Sequence, residues 1–351
     1  MLGAWLTYYV RASLKQDGER PDGYFVIPVC VVLAYMLGPV TLTQPLWLPV
    51  GVVVAAVLLV GSRKYLHDLA QKVPFQEVLT LAQFLLLVGV VLPILYGAPR
   101  IPYTKITPFS VWLAVVAVST LSYASYLLQR YVFTKSGVLL AAVLGGMYSS
   151  TATTVVMARK AAEEGVTPAI CAGIIAATGM MYARMVIICS IFNQSLGRAI
   201  APTMLVLCVL CLAGAAALVR FDRAKTSKPT QTQGNPLQLG TAVIFACLMI
   251  GISLVSGWVQ THLGSTGILV LAAVVGVTDI DPFVMSLAQG GAASLGIATA
   301  AAAVIIASSS NNVLKAGYTA AFSRRRESWM PAGALVVTSL LGLIGVWFAS
   351  R

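Results

Sequence analysis

The chain has 351 residues, of which 10% are charged and 58% apolar, and its mean hydropathy is +0.88. A soluble domain is about one-quarter charged and just under half apolar. Composition therefore excludes an ordinary soluble enzyme, a disordered tail and a disulfide scaffold, and predicts an all-α polytopic membrane protein. The net charge of +12 is expected to report loop topology and anionic membrane lipids, because Lys and Arg collect on cytoplasmic loops. No nucleic-acid partner is expected, since no basic soluble domain or aromatic–basic module is present.

In chain order, residues 1–23 form an interfacial segment with Leu2, Trp5, Leu6, Tyr9 and Val10 at helical spacing. They show no apolar core followed by a small-residue cleavage site, so no signal peptide is expected. A spanning helix needs about 20 apolar residues. The N-terminal spans, within 24–107, are predicted at 24–40, 46–61 and 77–96, with 63–72 lying at the interface. A first repeat, 108–220, holds apolar segments 110–129, 137–157, 168–192 and 201–219. A cytoplasmic linker, 221–235, leads to a second repeat, 236–351, with segments 237–260, 267–287, 293–322 and 331–350. The repetition rests on Pro108 against Pro236, Gly137 against Gly267 and Pro202 against Pro331, offsets of 128, 130 and 129.

Charge decides which segments cross. If all eleven do, the two sides carry 12 and 9 basic residues. If 137–157 and 267–287 instead enter and leave on one side, the split becomes 17 inside and 4 outside, with Arg184 and Lys315 within spans. The positive-inside rule favours the second arrangement. The expected architecture is thus about nine full spans plus two re-entrant, broken-helix hairpins. Each repeat then has three crossings, which inverts the second relative to the first, with a site at the midplane between them.

Both hairpins carry polar residues at their centres. In Gly145-Gly-Met-Tyr-Ser-Ser-Thr-Ala-Thr-Thr154, the glycines permit close packing or a turn, and Ser149, Ser150, Thr151 and Thr153 can cap a second half-helix and meet a ligand. In Gly276-Val-Thr-Asp-Ile-Asp-Pro282, Asp281 before Pro282 predicts a helix start with Asp281 as N-cap. Asp279 and Asp281 are the carboxylates well inside an apolar segment. They read either as an H+ or Na+ coupling site or as structural groups, Asp281 capping and Asp279 pairing with Arg184 or Lys315. Arg184 and Lys315 stand 131 residues apart at matching repeat positions. They read as an anion clamp, as counter-ions, or as snorkelling side chains. The run Ser308-Ser-Ser-Asn311-Asn312 covers every helix face and must meet a neighbouring helix, a pore or water. Cys208 and Cys211 lie in an unbroken apolar helix with no His nearby, so they read as packing residues rather than a metal or redox pair.

Val143-Leu-Gly-Gly-Met-Tyr-Ser-Ser-Thr-Ala-Thr-Thr-Val-Val-Met-Ala-Arg159 resembles the G-G-x-x-S-S-T-A-x-T-x-x-x-A-R signature of an uncharacterised bacterial membrane domain, often fused C-terminal to an MgtC/SapB domain. Gly276–Asp281 resembles its G-x-T-D-x-D-A, with Pro282 in place of Ala, and Asn312-Val-Leu-Lys-Ala-Gly317 resembles its N-x-x-K-A-G. The resemblance covers roughly 24–350, lacks the MgtC/SapB part, and implies the fold far more than an activity.

The function expected from these residues is a secondary transporter or channel-like carrier for a small charged solute, anionic by the Arg, Lys and helix N-termini. A lipid-linked phosphate fits the same chemistry. Substrate would meet Ser149, Ser150, Thr151, Thr153, Thr278, Arg184, Lys315, Ser308, Asn311 and Asn312, with Asp279 and Asp281 coupling an ion. The alternatives are a non-transporting membrane regulator of MgtC type and divalent-cation (Mg2+) transport. No cofactor, metal site or catalytic residue is expected, because no nucleophile–base pair or nucleotide fingerprint is present. The expected location is the bacterial inner membrane with a cytoplasmic N-terminus, and a homo-oligomer is compatible with the sequence.

Overall fold

The computed structural model describes residues 26–45, 47–62, 75–102, 104, 106–133, 138–221, 239–290, 295–323 and 329–349. The expected interfacial segments 1–23 and 63–72 and all but the first residue of the linker 221–235 lie outside them. The chain forms two compact units, 1–79 and 80–351.

The first unit holds α1 (Val26–Thr43) and α2 (Trp47–Gly61) and the beginning of α3 (Phe75–Leu86). Through a π-helical turn (Leu87–Val91), α3 continues into the short α4 (Leu92–Ile94). There follow α5 (Pro108–Leu127), α6 (Val138–Glu164), α7 (Pro168–Phe192), α8 (Gln194–Phe221), α9 (Leu239–Gly276), α10 (Ile280–Ala288), α11 (Ile297–Ser323) and α12 (Trp329–Ala349). Among the described residues, eight helices are long and apolar enough to cross a membrane, with the shorter apolar stretches Val29–Thr43 and Leu48–Leu58 in α1 and α2. Large apolar side chains such as Val206, Val209, Ile244 and Trp258 are exposed, as lipid-facing helices require. The chain is an all-α polytopic membrane protein.

Helix starts follow the sequence. Thr107 precedes Pro108 and forms a reciprocal box with Ser110: Ser110 N–H donates to Thr107 Oγ1 (3.1 Å) and Thr107 N–H to Ser110 Oγ (3.0 Å). Thr167 precedes Pro168 and accepts from Ile170 N–H at 3.3 Å.

Two helices are broken. In α6 the interruption is at Ser149 (φ −158°, ψ 107°). A straight helix would separate residues 142 and 157 by about 22 Å. Instead, the Ala142 Cβ and the Met157 sulfur both lie within 4 Å of where a Cβ on Gly173 would sit, so the two arms fold back on each other. The second break is at Gly264 of α9, whose φ of +63° is the left-handed conformation glycine adopts at no steric cost. The arm 265–276 then turns at 277–279 into α10.

Helix α5 measures where these hairpins enter. At one end, Gln289, just past α10, donates through Nε2 to Ser110 O (2.9 Å). Midway, Ser122 Oγ donates to Tyr148 O at the first hairpin's tip (3.4 Å). Further on, Ser125 Oγ reaches Leu144 O (2.5 Å), and Gln129 Nε2, in the π-helical turn Leu128–Val132 that continues α5, reaches Ala141 O (3.4 Å). The first hairpin therefore runs from its tip toward the C-terminal end of α5, and α10 runs from its tip toward the N-terminal end. They approach from opposite directions and meet at mid-helix.

One close contact occurs twice, 130 residues apart. A Cβ on Gly146 would fall 2.5 Å from Ala177 Cα, and one on Gly276 would strike the Ala307 carbonyl. The cysteines of α8 pack as expected from the sequence: Cys208 and Cys211 are free and buried, and Cys211 Cβ lies where Gly179 leaves room.

The folded-back α6 makes a direct prediction. In a background without native cysteines, Ala142→Cys/Met157→Cys should cross-link with a short thiol reagent. A pair that stays unlinked would mean that α6 runs straight.

Candidate site at the hairpin tips

Breaking a helix inside an apolar environment leaves orphan carbonyls and N–H groups that must find partners. At the first tip, Ser149 Oγ accepts from Ala152 N–H (3.3 Å) and starts the second arm. The carbonyls ending the first arm are taken by Arg184 of α7, whose Nη1 donates to Tyr148 O (2.9 Å) and Met147 O (3.4 Å). At the second tip, Asn311 Nδ2 of α11 donates to Gly276 O (3.1 Å) and Ser310 Oγ to Ala273 O (2.6 Å).

The second tip corrects one expectation from the sequence. The N-cap of α10 is Asp279, not Asp281: its Oδ1 accepts from Asp281 N–H at 3.2 Å. Asp281 falls within the first turn, where a carboxylate is stabilised by the exposed N–H groups. There it pairs with Arg184 through Nη2 and Oδ2, both side chains being largely buried. Thus Asp281, rather than Asp279, is the partner of Arg184. This arginine joins the C-terminal end of one broken helix to the N-terminal end of the other.

Around the tips lies a cavity of about 450 Å3. Its polar wall comes from Ser149, Thr151, Arg184, Thr278, Asp279 and Asp281, and its apolar wall from α5 and α9, through residues such as Val115, Val118 and Phe245. A small chamber of about 30 Å3 adjoins it, sharing Ser149, Thr151, Arg184, Asp279 and Asp281 and adding Ser150 and Asn311. Asp279 stays accessible, and among the described residues no cation lies within ion-pair distance of it.

The remaining expected residues are elsewhere. Thr153 is buried and borders neither space. Lys315 is fully buried, with Nζ 3.0 Å from Met181 Sδ and 3.5 Å from Asn312 Oδ1; among the described residues it makes no salt bridge. Asn312 Nδ2 donates to the Tyr182 hydroxyl (2.6 Å), and Ser308 Oγ to Val304 O (2.9 Å) within its own helix. Much of the polar run 308–312 is therefore committed to structure.

Ser119, Ser122, Tyr148 and Thr241 also line the cavity, and the sequence reading passed over them. A signal for one was present. Ser122 and Ser125 recur as Ser253 and Ser256, 131 residues later, and Ser253 Oγ lies 2.6 Å from Ser286 Oγ of α10. Each hairpin is thus braced by a serine from the preceding span.

Helix ends that face one another across a cavity inside a bundle of apolar helices describe a polytopic membrane protein with interrupted helices. The match to a family model is more specific. Residues 116–323 fit the domain of unknown function DUF4010, and the chain belongs to that family. It is similar to an uncharacterized protein of Aquifex aeolicus (strain VF5), 31% identical over 93 residues. That stretch is 26% of this chain and 40% of the relative, so the chain spans well under two thirds of that protein's length. No solved structure matches.

Proposed function

We propose that the chain is a secondary carrier for a small anionic solute, coupled to a cation, working at the meeting point of two re-entrant hairpins in an inverted-topology repeat. The observation that carries this reading is the cavity of about 450 Å3 at the tips of two oppositely directed broken helices. Its position fits the rule that irregular backbone at membrane depth lines a cavity or is buried in protein. The paired contacts Gly146–Ala177 and Gly276–Ala307 support the repeat. The basic-residue count supports a bacterial inner-membrane location with a cytoplasmic N-terminus.

Charge supports the choice of solute. By formal charge, Arg184 and Lys315 balance Asp279 and Asp281 within the apolar segments. Arg184 is already occupied by Asp281, which makes it a poor clamp for an anion alone. An anion accompanied by a cation leaves neutrality intact. A non-transporting regulator would need a sealed centre, and the cavity favours the carrier. Divalent-cation transport is less favoured, because Asp279 is the one carboxylate of the pair left unpaired.

Purified protein in liposomes should show flux of small anions that Asp279→Asn and Arg184→Gln each reduce at least ten-fold. Flux identical to wild type in both variants, or none for any small anion, would sink the proposal.

A further inference from the structure

The small chamber between the tips has a volume of about 30 Å3, enough to admit a water molecule or a small ion. Its donor and acceptor groups can be accounted for individually. Both terminal nitrogens of Arg184 are engaged, by Asp281 and by the Met147 and Tyr148 carbonyls. Asn311 spends its Nδ2 on Gly276 O, while its Oδ1, in a residue only 2% exposed, has no partner. A buried acceptor left in this state is costly, and native structures rarely leave one without an ion or water to satisfy it. Asp279 contributes a carboxylate with no cation within ion-pair distance among the described residues. Ser149, Ser150 and Thr151 add hydroxyl groups on the facing tip.

What is open is therefore one negative charge, one unsatisfied amide oxygen, several hydroxyls and the Nε–H of Arg184, a buried donor without a partner. The groups able to ligate are hard oxygen donors, without thiolate or imidazole. Among the described residues no cluster of three or more His, Cys, Asp or Glu exists, so the set is unlike a transition-metal site. One unpaired carboxylate matches a single positive charge.

We infer that this chamber binds one alkali-metal cation, Na+ being the example tested, through the Asp279 carboxylate and Asn311 Oδ1, with tip hydroxyls completing its shell. Asp281 is outside the coordination set and serves as the counter-ion of Arg184. The role of such a cation in coupling rests on the carrier reading above; its binding does not. Arg184, Asp279 and Asp281 at the chamber sum to one negative charge, so a bound cation brings the site to neutrality. The adjoining cavity shares Arg184 and Asp279 with the chamber, so a cation bound there removes the repulsion that the Asp279 carboxylate exerts on an incoming anion. Cation and anion then raise each other's affinity by the same factor, as linkage requires.

The test uses the full chain purified in detergent. Thermal unfolding is followed in NaCl, LiCl, KCl and choline chloride at constant ionic strength. An alkali cation should raise Tm saturably relative to choline. Asn311→Ala should weaken the half-saturating concentration at least ten-fold, and Asp279→Asn should abolish the effect. Equal Tm in all four salts overturns the inference, as does an alkali effect that both variants retain. If either variant fails to fold, equilibrium binding of radiolabelled Na+ to wild type decides: about one site per chain, competed by excess LiCl and not by choline chloride, supports the chamber, and no saturable binding overturns it. Saturable cation binding without solute flux in liposomes would remove the carrier reading and leave the chamber standing. Flux without any alkali-cation binding would do the reverse.

Discussion

Arg184→Gln should destabilise the protein by about 3–5 kcal/mol, the cost typical of removing one partner from a buried ion pair. The substitution does two kinds of damage. It leaves the Asp281 carboxylate, whose side chain is 13% exposed, without its cation. It also removes the guanidinium donor to the Met147 and Tyr148 carbonyls at the end of the first arm of α6, leaving Tyr148 O with Ser122 Oγ alone. The double variant Arg184→Gln/Asp281→Asn removes both charges together and should recover a large part of that loss, because groups in direct contact are not additive. Urea or thermal unfolding of the four proteins in one detergent measures the coupling. If the double variant is as unstable as the sum of the singles, the two side chains do not interact. Asp279→Asn provides a contrast. Asp279 makes no ion pair among the described residues, and the asparagine that replaces it keeps an oxygen able to accept from Asp281 N–H, so the substitution should cost no more than about 1 kcal/mol.

The difference between the two aspartates shows where sequence reasoning reaches its limit. That a helix begins near residue 280 was legible, because Asp and Pro in that order are favoured at a helix start and disfavoured inside one. Which aspartate caps was not, since either can occupy the N-cap and the choice depends on what faces the first turn. Arg184 faces it from another helix, and it draws Asp281 into an ion pair while Asp279 takes the cap. The interruptions at Ser149 and near Asp279 were readable from glycine and hydroxyl clusters inside apolar runs. Their opposed directions were suggested by loop charge alone and acquire a geometric basis in the hydrogen bonds along α5. Lys315 was the least readable. Its repeat equivalence with Arg184 suggested a shared role, yet it packs against Met181 and Asn312 while Arg184 bridges the tips. The two positions, matched by their offset of 131 residues, meet different neighbours in the folded chain. Asn311 likewise looked like a ligand group, although it and Ser310 each donate to a carbonyl freed where α9 ends before the second tip. A broken helix demands polar partners whether or not a solute binds, so polarity inside a span marks the break first.

Glycine substitutions test the duplicated packing through a change of sign. At Gly146 a Cβ would lie 2.5 Å from Ala177 Cα and 2.7 Å from its carbonyl oxygen, and at Gly276 it would meet the Ala307 carbonyl and lie 2.8 Å from Ser310 Cβ. These obstacles are chiefly backbone and cannot swing aside, so Gly146→Ala and Gly276→Ala should each cost about 1–3 kcal/mol, the usual penalty of overpacking. Gly214 in α8 and Gly251 in α9 have nothing within 4 Å of the same added atom. There the methyl group meets open space, and reduced backbone entropy in the unfolded chain should stabilise the helix by up to about 1 kcal/mol. One chemical change thus has opposite effects at two pairs of sites, which argues against a general intolerance of the chain to mutation. The size of the two penalties also carries information. If Gly146 and Gly276 occupy equivalent places in two related halves, their costs should be similar, and the double variant should lose about the sum because the contacts involve different helices. A large cost at Gly146 with none at Gly276 would mean that the second arm of α9 does not lie against α11 as described. Unfolding midpoints of the four single variants and the double, measured in the same detergent, are enough to decide.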